Sequence, residues 1–218
     1  MPKIRCLTAH PLQHPFRLIS QLERTVKALP ILLRRLGPWL SPQCHVEIES
    51  PIRVHRDRFL KYDEEEYKKE FQRYLQLAAS KSGDNGWILI LLDADNDCPA
   101  QLGPQILERA KIVIPHRPVS VVLANREFEA WFLAAARSLD GKRDFSYTEE
   151  PISGPENTRN AKGWLGKHMG SGRKYYEVTD QPAFAAHFDL AMAHRGSRSF
   201  RKLCNEWKKR IVRCSPSL

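Results

Sequence analysis

The 218 residues are 42% hydrophobic and 28% charged, a balance that supports one generous core and excludes wholesale disorder. No run of 18 apolar residues occurs, and the opening MPKIRCLTAHPLQHP has no continuous apolar stretch. A cytoplasmic protein without a membrane span or secretory signal is therefore expected. Lys and Arg number 35 against 25 Asp and Glu, and the formal charge of +10 favours a polyanionic partner such as nucleic acid. The five cysteines form no CxxC pair, which argues against a disulfide scaffold and a zinc ribbon.

In chain order, residues 17–20 read as a short strand. A helix follows over 21–36, with Val26, Leu29, Leu32, Leu33 and Leu36 on one stripe. Pro30 kinks it or opens it, and Gly37-Pro38 is its stop signal. Residues 44–48 alternate like a half-buried strand, and 63–79 form an amphipathic helix burying Tyr67, Phe71, Tyr74, Leu75 and Ala78. WILILL, residues 87–92, is continuously apolar and flanked by turn residues, the pattern of a central strand buried on both faces. A short helix over 105–111, a second buried strand over 119–123 and a helix over 126–139 complete an α/β domain through residue 140. From 141 to 218 the chain reads as a basic, mainly helical extension: a polar loop over 141–160, then helices near 156–168, 181–193 and 199–212.

The sharpest chemistry follows WILILL, which runs into Asp93, Asp95 and Asp97. Ligands of open α/β sheets bind at the carboxyl ends of the central strands. Asp93 and Asp95, two apart, share a face while the chain stays extended, and two carboxylates held together call for a proton or a cation. Mg²⁺ or Mn²⁺ is the natural neutraliser of an all-oxygen site. An EF-hand is excluded, because Cys98 and Pro104 stand where its loop needs Gly and Glu. After the second strand come Glu127 and Glu129, about 200° apart on a helix, so one of them faces the site; Glu129 is preferred, with Glu127 paired elsewhere.

WILILLDADNDCPAQLGP, VSVVLANREFEAWFLAAARSL and the stretch from AKGWLGKHMG to GSRSFRKL together resemble a large bacterial family of unknown function. That family is regarded as Toprim-like and is often encoded beside an ABC/AAA-type ATPase; the resemblance spans residues 26–207. It implies a Toprim-like, Rossmann-like, mostly parallel sheet flanked by helices. It also implies a site in which an acid after the first strand and a DxD after a later one hold one or two Mg²⁺ for phosphoryl transfer. Asp93 and Asp95 match the DxD, Asp97 extends it, and Glu129 matches an acid of the EFEAW helix. Where relatives read close to VEGHGE, this chain reads SQLERT, so Gln21 takes the place of the first Glu and Thr25 that of a second acid. Glu23 is the acid nearby.

The function expected is therefore a divalent-metal-dependent nucleic-acid phosphodiesterase, a DNA nuclease acting as effector subunit of an ATPase-linked anti-phage system. Arg198, Arg201 and Lys202, with Lys162, Lys167, Arg173 and Lys174, would hold the backbone, and Tyr175 and Tyr176 would stack on bases. The alternatives are a catalytically impaired Toprim-like binding or regulatory module and, from the DxD alone, a nucleotide-sugar transferase. The last lacks a recognisable nucleotide-binding region ahead of the DxD.

Overall fold

The computed structural model describes residues 14–21, 25–42, 44, 46–61, 64–82, 86–149 and 154–211. Among these residues five strands form one all-parallel sheet: β1 (His14–Gln21), β2 (Val46–Ile48), β3 (Ile52–Val54), β4 (Trp87–Asp93) and β5 (Val119–Ala124). The order is β2-β1-β4-β5, and β3 continues the β2 edge by pairing with the second half of β1. The chain leaves β1 toward β2 and later crosses to the other side of β1 to lay down β4. The strand order therefore reverses between β1 and β4, the place where open α/β sheets hold their ligands.

Two cores flank the sheet, and the period-two pleat divides the strands between them. Trp87, Leu89 and Leu91 of β4 join Val122 and Ala124 of β5 in one core. Ile88, Ile90 and Leu92 join Val119, Val121 and Leu123 in the other. The second core is closed by α2 (Arg56–Leu60), α3 (Glu65–Lys81) and α4 (Pro99–Val113), through Phe59, Phe71, Leu75, Ile106 and Ala110. The first is closed by α1 (Thr25–Leu40) and by the carboxyl-terminal third of the chain: α5 (Ala130–Leu133), α6 (Ala161–Lys167), α7 (Glu177–His187), α8 (Leu190–Gly196) and α9 (Arg198–Ile211). Edge-to-face contacts such as Phe132 with Phe184 (5.8 Å) and Trp131 with Phe200 (5.3 Å) knit that side together.

Several elements depart from expectation: β3 and α2 lie where no element is expected, and the helix expected over 181–193 is two, α7 and α8. α1 does not stop at Gly37-Pro38 but continues to Leu40, with Pro30 and Pro38 inside it. Proline's φ is itself helical, and burial of Leu29, Leu32, Leu33 and Leu36 outweighs the lost N–H bond. The expected helix over 126–139 is instead a turn, the single-turn α5 and a 3-10 turn over Ala136–Leu139. Arg126 sits there at φ 64°, outside any helix. The helix expected over 105–111 begins earlier, because Pro99 is well placed in a first turn. No described helix is long and apolar enough to cross a membrane.

Candidate functional site at the carboxyl edge of the sheet

β4 and β5 run in register from Ile88↔Val119 to Asp93↔Ala124, so the acids that follow them start from one edge. Beyond the strands the backbones stay zipped: Ala94 N–H donates to Ala124 O at 2.8 Å and Asp95 N–H to Arg126 O at 2.9 Å. Both residues of the second pair are left-handed, Asp95 at φ 51° and Arg126 at φ 64°. Such conformations cost energy in non-glycine residues and cluster where function demands them. They also split the acidic run. Asp93 continues the face of Leu89 and Leu91 into the first core, while Asp95 turns outward.

Asp93 is nearly buried, and its Oδ1 accepts Phe128 N–H at 2.8 Å. Glu129 is wholly buried; its Oε1 accepts from Gln181 Nε2 at 2.8 Å and Tyr175 Oη at 3.2 Å. Glu129 Oε2 has no hydrogen-bond partner and faces Lys162 Nζ at 3.4 Å. Lys162 also approaches Glu127 Oε2 at 3.8 Å, and that oxygen accepts Lys162 N–H at 3.2 Å. Glu127 and Glu129 thus meet the same lysine, contrary to the expectation that one of them pairs elsewhere. Regular helical spacing does not apply, because the helix begins only at Ala130.

Burial, with Glu129 nearby, holds the Asp93 carboxyl well above the usual carboxylate range. Burial likewise raises Glu129, against the pull of Lys162 and Gln181. For Lys162, burial alone would favour the neutral amine, but Glu129, Asp93 and Glu127 outweigh it and lift its pKa above the ordinary lysine value. Burial and Glu129 push the Tyr175 phenol well up, so it donates rather than ionises.

The outward acids have a different cation. Arg56, from the start of α2, donates to Asp93 O and Ala94 O, both at 3.0 Å. It also pairs with Asp95 Oδ2 at 3.2 Å and with Asp97. Around this clamp lies a polar cavity of about 480 Å³ lined by Asp95, Asn96, Asp97, Glu127, Arg126 and Arg159 together with Arg56. Asp95, Asp97 and Glu127 offer only hard oxygen donors, which suit Mg²⁺ or Mn²⁺ by type. Among the described residues no three His, Cys, Asp or Glu side chains stand close enough to cage an ion, and Arg56 bridges Asp95 and Asp97.

Asp93, Glu129 and Lys162 are thus brought together, with Asp95 and Asp97 in a separate outer group. Gln21 ends β1, one step past the pair Ser20↔Leu91, beside the carboxyl end of β4; Glu23 lies outside the described residues. The basic residues expected to hold nucleic acid scatter. Arg173 pairs with the buried Asp180 at 2.6 Å, Arg201 donates to His194 O and Arg195 O at 2.8 Å, and Lys202 pairs with Glu206 at 2.8 Å. Arg198, Lys167 and Lys174 are exposed, as is Tyr176. Sequence reasoning missed Arg56, Arg126 and Arg159, which stand in VHRDRF, ANREFE and NTRNAK. A positive charge beside each acidic or polar turn was the available signal.

A family model described as "Domain of unknown function (DUF4276)" matches residues 23–207. No curated protein and no solved structure matches the chain.

Proposed function

Taking as premise that the chain belongs to the DUF4276 family, we propose that it is a divalent-metal-dependent phosphodiesterase acting on nucleic acid, Toprim-like in design, and that it serves as effector to an ATPase partner. One observation carries this reading. Three carboxylates and three arginines line a single cavity past the carboxyl ends of β3, β4 and β5 of a parallel sheet. Opposed charges in one cavity suit a phosphodiester, whose oxygens need cations while its attacking water needs an acceptor.

Asp95, Asp97 and Glu127 would hold Mg²⁺ or Mn²⁺. The metal, when bound, would offset charge developing on the phosphate and favour a hydroxide nucleophile. The chain's own residues do the rest. Arg126 and Arg159 carry no ion-pair partner among the described residues and can grip nonbridging oxygens in the forked geometry that guanidinium offers. Arg56 holds Asp95 and Asp97 in place until phosphate or metal competes for them. Asp93 fixes the turn through Phe128 N–H, and Lys162 pairs with both Glu127 and Glu129 and so ties the second acidic segment to α6.

Titration calorimetry with Mn²⁺ and cleavage of single- and double-stranded DNA and RNA test this reading. The parent should bind Mn²⁺ and cleave at least one substrate; Asp95→Ala and Asp97→Ala should lose both while melting normally. Mn²⁺ binding and cleavage that survive both changes would remove the acidic loop from the chemistry.

A second reading, a catalytically impaired binding or regulatory module, draws on Gln21 at the end of β1 and on the two cations already paired with the acids. It expects nucleic-acid binding without cleavage in any metal.

A further inference from the structure

β5 is an edge strand, since β4 pairs along one side of it and no described strand lies on the other. The parallel register decides which of its backbone groups are spent. Ile88 N–H donates to Pro118 O at 2.9 Å and Ala94 N–H to Ala124 O at 2.8 Å, so the even-numbered residues of β5 turn their N–H and C=O toward β4. The odd-numbered ones, Val119, Val121 and Leu123, turn theirs outward. Val119 O is already capped, accepting Arg210 Nη2 at 2.9 Å. Val121 and Leu123 have no such cap among the described residues. An uncapped strand edge is a template for another strand.

The edge does not face open solvent. A cavity of about 540 Å³ lies along it, bounded by α4 on one side and α9 on the other, and lined by Leu107, Val121, Leu123 and Arg198 among others. Its walls are mostly apolar. Where α4 borders it stands Gly103, and a Cβ built there would meet nothing within 4 Å. The cavity thus has a wide wall, an apolar floor and unpaired main-chain groups in line.

Charge sets the character of an occupant. Two acids reach the cavity, and both are spent inside the protein. Glu156 Oε1 accepts from the hydroxyls of Ser197 and Ser199, at 2.6 and 2.7 Å, and from Ser199 N–H. Glu206 accepts from Ser120 at 2.7 Å and pairs with Lys202 at 2.8 Å and Lys209 at 3.4 Å. Arg198 is exposed at the mouth with no ion-pair partner among the described residues. The uncompensated charge is positive.

We infer that this groove is a docking site for an extended, acidic peptide segment of a partner protein, which adds to the sheet as a strand beside β5. The main chains of Val121 and Leu123 supply the hydrogen bonds, the apolar walls take alternate side chains, and Arg198 takes an acid. The site is separate from the polar cavity and does not depend on the reading of that cavity as a phosphodiesterase centre.

The probe is an acetylated, amidated octapeptide alternating valine with aspartate, titrated into the full chain and followed by amide NMR and hydrogen exchange. The amides of Val121 and Leu123 should shift and gain at least tenfold protection, while those of Ser120 and Val122 are already protected by β4. Two twins, N-methylated on the valines or on the aspartates, separate strand pairing from simple adhesion. One twin should bind at least tenfold more weakly and the other nearly as well as the parent peptide. Gly103→Trp should abolish binding and Gly103→Ala should preserve it; Arg198→Glu should weaken it at least fivefold. The proposal is overturned if millimolar peptide leaves both amides unmoved, if both twins bind alike, or if Gly103→Trp binds normally. It is equally overturned if a single-stranded oligonucleotide, rather than the peptide, protects those amides.

Discussion

Asp93 and Glu129 are buried side by side on the first core, with Lys162 as their shared cation. Taking a carboxylate out of water is costly, and a second carboxylate adds to the cost, so folding disfavours the charged form of each. The sign follows from linkage. An acid whose pKa rises on folding lets the unfolded chain ionise first; the penalty is absent below the ordinary carboxylate range and grows as pH climbs through the folded value. Asp93→Asn keeps an oxygen for Phe128 N–H and deletes the charge. It should melt above the parent at pH 7, since the variant has no carboxyl to hold charged in the folded core. The advantage should vanish near pH 3. Calorimetric scans of both proteins across that range check it. A variant no more stable than the parent at pH 7 would mean that Lys162 already offsets the repulsion in full.

At the scale of elements, what the sequence made legible was whatever rested on burial alone. WILILL reads as a central strand and VSVVL as a second buried one, because short apolar runs bounded by turn formers need cover on both faces; β5 proves to be the edge strand beside β4. The Asp93–Glu129 convergence followed from those two strands being neighbours. What resisted was local geometry set from afar. Gly37-Pro38 reads as a helix stop, yet the ring of Trp207 from α9 lies against Gly37, and α1 runs on beneath it. No local pattern announces a partner so distant along the chain. Likewise the spacing of Asp93 and Asp95 suggested one shared face, and the left-handed turn at Asp95 gave them two. β1 bears on the proposed activity. It ends with Gln21 beside β4, where the Toprim-like resemblance calls for an acid, and an amide offers a hard cation only a neutral oxygen. Gln21→Glu should therefore tighten Mn²⁺ binding by at least tenfold and raise any cleavage in proportion, as calorimetry and a gel assay would read. Unchanged affinity would place the missing ligand elsewhere on the chain.

Taken whole, the molecule spends much of its positive charge on itself. Of the basic residues that composition alone would send to a phosphate backbone, Arg173 ties a buried aspartate, Arg201 caps backbone carbonyls and Lys202 serves Glu206. A net charge of +10 attracts polyanions from a distance, but which residues touch them is decided by what is left unpaired. On the carboxyl edge of the sheet that leaves, among the described residues, Arg126 and Arg159, both lining the polar cavity. Each phosphate contact releases counterions and contributes about 0.9 to the slope of log K against log salt on duplex DNA, or about 0.7 on a single strand. The double variant Arg126→Ala, Arg159→Ala should therefore bind a labelled 20-nucleotide strand more weakly and lower the slope by about 1.4, or by about 1.8 on the duplex. Arg201→Ala, which loses its bonds to two carbonyls, should lower the melting temperature and leave the slope alone. Fluorescence anisotropy from 50 to 300 mM salt distinguishes the two. The opposite pattern, with the slope falling in Arg201→Ala and holding in the double variant, would move the nucleic-acid face from the cavity to α9.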